Sequence, residues 1–163
     1  MSDGAKGLTR QQMCDRLAME FEDGWIVNLG IGIPTLCSNF DFGDKEIIFH
    51  AENGDFANWK MAGQKGGGIG GAMDLAACAK HVFVAMEQVT RNGRPRLVER
   101  CAIPATARGV VDLVITNYGL FEITPEGMTL RELAPGVTVD EIKATTGCNL
   151  SIPREVPPVR LRG

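Results

Sequence analysis

Ile47-Ile48-Phe49-His50-Ala51-Glu52-Asn53-Gly54 places a carboxylate at the end of a β-branched and aromatic run. Upstream, Trp25 to Leu29 has the same character and leads into Gly30-Ile31-Gly32-Ile33-Pro34. Both read as strands entering tight turns, so their polar ends are expected together at the carboxyl edge of a sheet, where open α/β folds place their chemistry. Asn53-Gly54 tolerates left-handed backbone, and the sharp turn it makes would aim the Glu52 carboxylate outward. A carboxylate held that way is a candidate nucleophile when oxyanion donors lie near it. Glycine-rich turns supply such N–H donors, and a second one follows in Gly66-Gly67-Gly68-Ile69-Gly70-Gly71, ahead of Ala72-Met73-Asp74. On residue type alone, Glu52 also fits a solvated turn residue.

With 163 residues, the chain is sized for one α/β domain with a substantial core. A formal net charge of −3 gives no basic footprint, which argues against nucleic acid as a partner. The apolar runs are far shorter than the ~20 residues that span a bilayer, and Met1 to Lys6 has no signal-peptide pattern. A cytoplasmic protein without a membrane role is the expectation. Cys14, Cys37, Cys78, Cys101 and Cys148 are scattered, odd in number and free of C-x-x-C, which suits reduced thiols. His50 and His81 lack ligand spacing to any cysteine, so no metal site is expected and both read as structural.

Thr9 and Gln12 spell a capping box before Met13, Leu17 and Phe21 at helical spacing, predicting an amphipathic helix over about residues 9–22. Strands are predicted at 25–29, 46–50, 81–86 and 110–116, with a short helix from Pro34 to about Asn39. Another helix should start at the glycines, over 72–80. Gly119 to Ile123 and Thr129 to Leu133 read as a hairpin around Pro125-Glu126-Gly127. Thr138 and Glu141 spell a second capping box for a helix ending near Gly147. The domain is therefore drawn over 9–150, and the prolines at 153, 157 and 158 predict an extended tail over 151–163.

Asn28-Leu29-Gly30-Ile31-Gly32-Ile33-Pro34, Glu52-Asn53-Gly54, Asp55-Phe56-Ala57-Asn58-Trp59, Gly70-Gly71-Ala72-Met73-Asp74-Leu75 and Leu133-Ala134-Pro135-Gly136-Val137-Thr138 occur in this order. Together they resemble the B (beta) subunit of the family I coenzyme A transferases, of the succinyl-CoA:3-oxoacid and acetate/acetoacetate type. The resemblance implies an α/β fold with an open, mostly parallel sheet and flanking helices. It implies that Glu52 is the nucleophile of a ping-pong reaction through a glutamyl-CoA thioester, with Gly71 as backbone oxyanion donor. Asn28, Gly30, Gly32 and Gly70 are implied to lie against coenzyme A. The family uses coenzyme A and acyl-CoA as substrates with no tightly bound cofactor, and a chain with B motifs alone implies an A (alpha) subunit partner in a hetero-oligomer. Succinyl-CoA with a 3-oxoacid is the first-choice pair; acetate/acetoacetate and 3-oxoadipate are near alternatives.

The chain departs from the family pattern in one place. Gly54 joins directly to Asp55 where the family carries roughly sixty further residues, about two βα units, so part of the sheet is expected to be missing. Lys60 and Lys65 match no family lysine motif and take no role. Two other readings stand beside the active enzyme. One is a catalytically dead, shortened subunit that acts only as a binding partner. The other is a dinucleotide-binding protein, since Gly66, Gly68 and Gly71 formally spell G-x-G-x-x-G with Glu87 beyond, though without a good strand before them.

Overall fold

The computed structural model describes residues 6–30, 32–45, 47–50, 78–99 and 109–161, with backbone alone at 48–50. Thr9 caps helix α1 (Arg10–Ala18): its side chain accepts from the Gln12 N–H and the Gln12 side chain returns the bond, the reciprocal box the sequence predicts. Strand β1 (Ile26–Asn28) follows, then a 3₁₀ helix (Ile33–Asn39) with proline in its first turn, then β2 (Ile48–His50). β1 and β2 pair in parallel, Ile26 with Ile48 and Asn28 with His50.

The remaining strands make one five-stranded mixed sheet. β3 (Phe83–Met86) lies parallel to β4 (Leu113–Thr116), and β4 is antiparallel to β5 (Gly119–Thr124). β5 turns into β6 (Gly127–Leu133) through Pro125-Glu126, as the turn chemistry predicts. Helix α2 (Val139–Ala144) carries the second reciprocal capping box, from Thr138 and Glu141, and ends three residues before Gly147. β7 (Leu150–Ser151) then returns parallel to β6. The predicted helix over 72–80 lies almost wholly outside the described residues.

Two apolar clusters flank α1, and helical spacing divides its side chains between them. Met13 and Leu17 join Ile115, Leu120, Phe121, Leu130 and Ile142 over the sheet, whereas Cys14 and Ala18 join Phe21, Leu29 and Cys37 beneath the 3₁₀ helix. β5 sits so close to β6 that a Cβ on Gly119 would fall 2.6 Å from the Glu132 carbonyl oxygen. The ladder shifts between Leu120 and Phe121, which pair with Glu132 and Leu130, leaving Arg131 as the extra residue of a bulge.

The proline-bearing stretch after Ile152 is extended, and it is docked. The Leu133 N–H donates to the Pro157 carbonyl (2.9 Å), the Val159 N–H donates to the Leu133 carbonyl (2.9 Å), and Val159 is buried. Pro158 falls between those two bonds, where the ladder asks nothing of its nitrogen.

Arg16 is fully buried. Its Nε and Nη2 form a fork on Glu132, at 2.7 Å to Oε2 and 2.6 Å to Oε1, while Nη1 donates to Glu20 Oε1 at 2.7 Å. Arg160 adds its backbone N–H to Glu132 Oε2 at 3.2 Å. Burial by itself would raise the Glu132 pKa, but the bonds and charge of Arg16 and then the Arg160 N–H outweigh it and hold the carboxyl below its ordinary value. Burial likewise works against the Arg16 charge, and the bonds to Glu132 and Glu20 more than restore it.

A depressed folded pKa contributes stability above the unfolded carboxylate value of about 4.3, lost as pH falls through the folded value. Glu132→Gln should cost about 3–5 kcal/mol at neutral pH, because Arg16 is left buried without its counter-charge, and Arg16→Met with Glu132→Leu should recover most of that. Urea denaturation checks both expectations. The gap between wild type and Glu132→Gln should narrow on the acid side, and a gap that does not change with pH would exclude the ion pair as its cause.

Candidate active site

The direction of α1 locates the edge where chemistry would sit. Its first residue, Arg10, pairs through Nε with Glu87 Oε1 at 3.2 Å, just past the carboxyl end of β3. The Leu8 N–H donates to the Asn117 carbonyl at 2.7 Å, just past the carboxyl end of β4. From there α1 runs back along the sheet, and Phe21 beyond its far end stacks on Phe83 at the amino end of β3, with ring centroids 6.2 Å apart. Trp25 stacks on His81 at 5.0 Å, so β1 starts at the amino edge and runs the same way as β3.

The turn after β1 therefore returns to the α1 N-terminus. The Gln11 amide donates to the Leu36 carbonyl at 3.3 Å, and the Cys14 thiol donates to the Ile33 carbonyl at 2.8 Å. Asn28, Gly30 and Gly32 consequently lie toward the same edge as Glu87 and Asn117. Asn28 is exposed and Gly30 half-buried. Gly32 has φ +106° and ψ −129°, a conformation essentially confined to glycine, and its carbonyl accepts from the Thr35 hydroxyl at 2.7 Å. This bond and the Thr35 N–H at 3.3 Å hold the turn in shape as the 3₁₀ helix begins.

Glu52, Gly70 and Gly71 lie outside the described residues, as do Gly66, Gly68, Lys60 and Lys65. β2 ends at His50, paired with Asn28, so the chain enters the Glu52 segment from this carboxyl edge. Glu87, the acidic residue that a dinucleotide reading would use, is engaged by Arg10.

The sequence reading missed what braces the edge. Gln88 and Thr116 are fully buried at the ends of β3 and β4. The Thr116 hydroxyl donates to Gln88 Oε1 at 2.8 Å, and Gln88 Nε2 donates to the Thr145 carbonyl and the Thr146 hydroxyl at 3.2 and 3.1 Å. The only sequence signal was polar residues closing apolar runs.

At the opposite edge, His81 Nδ1 stands 3.6 Å from Asp112 Oδ2, which also accepts from the Val82 N–H at 2.8 Å, in keeping with a structural histidine. Among the described residues, no group of three His, Cys, Asp or Glu could hold a metal ion, and no helix is long and apolar enough to cross a membrane. Cys14 and Cys37 are buried free thiols, and the hydrogen bond with Cys14 and then burial push the Cys37 thiol far up.

The family model described as coenzyme A transferase matches residues 50–145. A Bacillus subtilis protein named as the probable beta subunit of a coenzyme A transferase is 33% identical over 205 positions, covering 88% of this chain and 94% of that one. The B subunit of the 3-oxoadipate CoA-transferase of Pseudomonas putida is 30% identical, covering 89% and 97%. Mouse succinyl-CoA:3-ketoacid coenzyme A transferase 2B is 31% identical over 93% of this chain, which spans only 42% of the mouse protein. Since 88% of 163 residues is about 143, a 205-position alignment leaves about 60 positions of the Bacillus protein with no counterpart here.

Among solved structures, a variant of the decarboxylase AibA/AibB superposes with a TM-score of 0.64 at 17% identity, covering 94% of this chain and 90% of that one. Glutaconate coenzyme A-transferase from Acidaminococcus fermentans superposes with 0.62 at 13%, covering 94% and 92%. These identities speak for the fold alone.

Gly32→Ala should destabilise the chain by about 1–3 kcal/mol through backbone strain. Among the described residues, its chain neighbours aside, no atom lies within 4 Å of the added Cβ, so the expected cost is backbone strain and not crowding. Chemical denaturation measures this, and an unchanged midpoint would show that the turn relaxes at no cost.

Proposed function

Starting from a chain that belongs to the coenzyme A transferase family, in its B (beta) branch, we propose that it moves coenzyme A between an acyl-CoA and a carboxylic acid with Glu52 as nucleophile. The observation that carries this reading is the strand that leads to Glu52: β2 ends two residues before it in sequence and pairs in parallel with β1, which feeds the turn at Gly30 and Gly32.

The Glu52 carboxylate attacks the thioester carbonyl of the acyl-CoA and expels the CoA thiolate, leaving a mixed anhydride. The thiolate attacks the glutamyl carbonyl of that anhydride, releasing the donor acid and leaving a glutamyl-CoA thioester. The acceptor carboxylate repeats both steps in reverse, which regenerates Glu52 and forms the new acyl-CoA. Each attack makes a tetrahedral oxyanion, and the Gly71 N–H is the proposed donor to it, beside Gly70. Asn28, Gly30 and Gly32 are proposed to lie along the coenzyme. No tightly bound cofactor is part of this scheme.

The acceptor is proposed to be a 3-oxoacid and the donor succinyl-CoA, because the relatives include enzymes named for succinyl-CoA with a 3-ketoacid and for 3-oxoadipate. An A (alpha) subunit is the proposed partner in a cytoplasmic hetero-oligomer, supported by relatives that are themselves named as B or beta subunits. A second reading, a subunit that keeps the fold but does not turn over, is favoured by the shortfall of about 60 positions against the Bacillus relative. It is favoured also by Ile26, which is 75% exposed on β1, whereas strands of parallel sheets are ordinarily covered.

Intact-mass measurement on the chain co-expressed with its A (alpha) partner and exposed to succinyl-CoA distinguishes the two readings. An active enzyme should gain one CoA-sized adduct that is lost in Glu52→Gln, and a bulky residue at Gly71 should slow its formation by about 10²–10³. No adduct with succinyl-CoA or acetoacetyl-CoA would leave the second reading.

A further inference from the structure

Arg91, Arg94 and Arg96 stand exposed on one short hairpin of a chain whose formal net charge is −3. Val89 bridges Pro95, the Thr90 N–H donates to the Arg94 carbonyl at 2.8 Å, and the Arg96 N–H donates to the Gln88 carbonyl at 3.0 Å. The turn is pinned further, with the Arg94 N–H donating to the Thr90 hydroxyl at 3.0 Å and the Gly93 N–H to the Thr90 carbonyl at 2.9 Å. Its base is rigid as well. Gln88 is locked into the buried network with Thr116, Thr145 and Thr146, and the leg beyond Arg96 is anchored by buried Leu97, whose carbonyl accepts from the Gly147 N–H at 2.8 Å.

This hairpin leaves the sheet just past β3, at the carboxyl edge that also holds the Gly30–Gly32 turn. Among the described residues no carboxylate pairs with any of the three guanidinium groups, whereas the neighbouring Arg10 is paired with Glu87. Three guanidinium groups on one pinned hairpin, with no carboxylate partner among the described residues, suit phosphate, which arginine binds through parallel N–H bonds. Because the arm is already ordered, a ligand meets little ordering cost there.

We infer that the Thr90–Arg96 hairpin is a phosphate-binding arm that takes the nucleotide end of coenzyme A, its diphosphate and 3′-phosphate, while the thioester end reaches the strand-end turn. The ligand's identity rests on the transferase reading; the phosphate chemistry of the arm does not. A nucleic-acid backbone carries the same groups, and the net negative charge of the chain disfavours it.

Calorimetric titration of the full chain, alone and with the A (alpha) partner, tests the arm with four probes: coenzyme A, 3′-phosphoadenosine 5′-diphosphate, pantetheine, and a single-stranded oligonucleotide. Coenzyme A and the nucleotide should bind, more weakly as salt rises. Arg91→Gln/Arg94→Gln/Arg96→Gln should weaken both by about 10–100-fold, the product of three exposed charge contacts, and leave pantetheine unchanged. The Arg96 Nε also donates to the Val89 carbonyl at 3.4 Å, so Arg91→Gln/Arg94→Gln decides the matter if the triple variant misfolds by circular dichroism. Wild-type affinity for coenzyme A in the variants, no binding of the nucleotide in either setting, or tighter binding of the oligonucleotide would each overturn the arm. Arginine-dependent nucleotide binding without a Glu52 adduct would keep the arm and remove the transferase; an adduct with silent arginines would do the reverse.

Discussion

The pairing of Arg16 with Glu132 is the interaction on which the described structure turns. A guanidinium at 0% exposure is tolerable only because its donors are met by Glu132 and Glu20, and the fork geometry allows one register of α1 over β6. That register sends Met13 and Leu17 to the sheet and Cys14 and Ala18 to the layer under the 3₁₀ helix. It also fixes where α1 begins, and so brings Arg10 to Glu87 and Leu8 to Asn117 at the carboxyl edge. The same carboxylate accepts the Arg160 N–H, so helix, sheet and C-terminal stretch share one buried charge.

The local chemistry of the chain was legible where it depends on few neighbours. Thr9/Gln12 and Thr138/Glu141 are reciprocal boxes because three-residue spacing is all that such caps require. Pro125-Glu126 turns β5 into β6 for a similarly local reason. Arg16 was not legible: between Asp15 and Leu17 it reads as one more solvated charge, and only the approach of β6, over a hundred residues away, makes it a buried one. Gln88 and Thr116 escaped notice for the same reason, since their partners come from another strand and from beyond α2. The strands predicted at 25–29, 46–50, 81–86 and 110–116 were each too long at their amino ends, whereas β6 begins two residues before its predicted start.

Fold and chemistry separate in this family of shapes. A decarboxylase and a glutaconate coenzyme A-transferase superpose on the chain about equally well, so the scaffold does not choose the reaction. In the reading proposed above, the choice falls to residues at the carboxyl edge, the side to which Asn28, Gly30 and Gly32 lie. Glu52, Gly70 and Gly71 were readable in sequence only through the motifs around them. Spacing alone could not have separated a nucleophilic Glu52 from a solvated one.

Pro158 lies in the stretch that flanks the carboxyl end of β6. The stretch Val156-Pro157-Pro158-Val159 satisfies Leu133 of β6 with one carbonyl and one N–H, and the Pro158 nitrogen, on the far side, carries no hydrogen to offer. A missing donor there makes this stretch a poorer template for another chain where it flanks the end of β6. The proline that makes this segment look like a loose end in sequence leaves it one donor fewer to offer outward where it flanks β6.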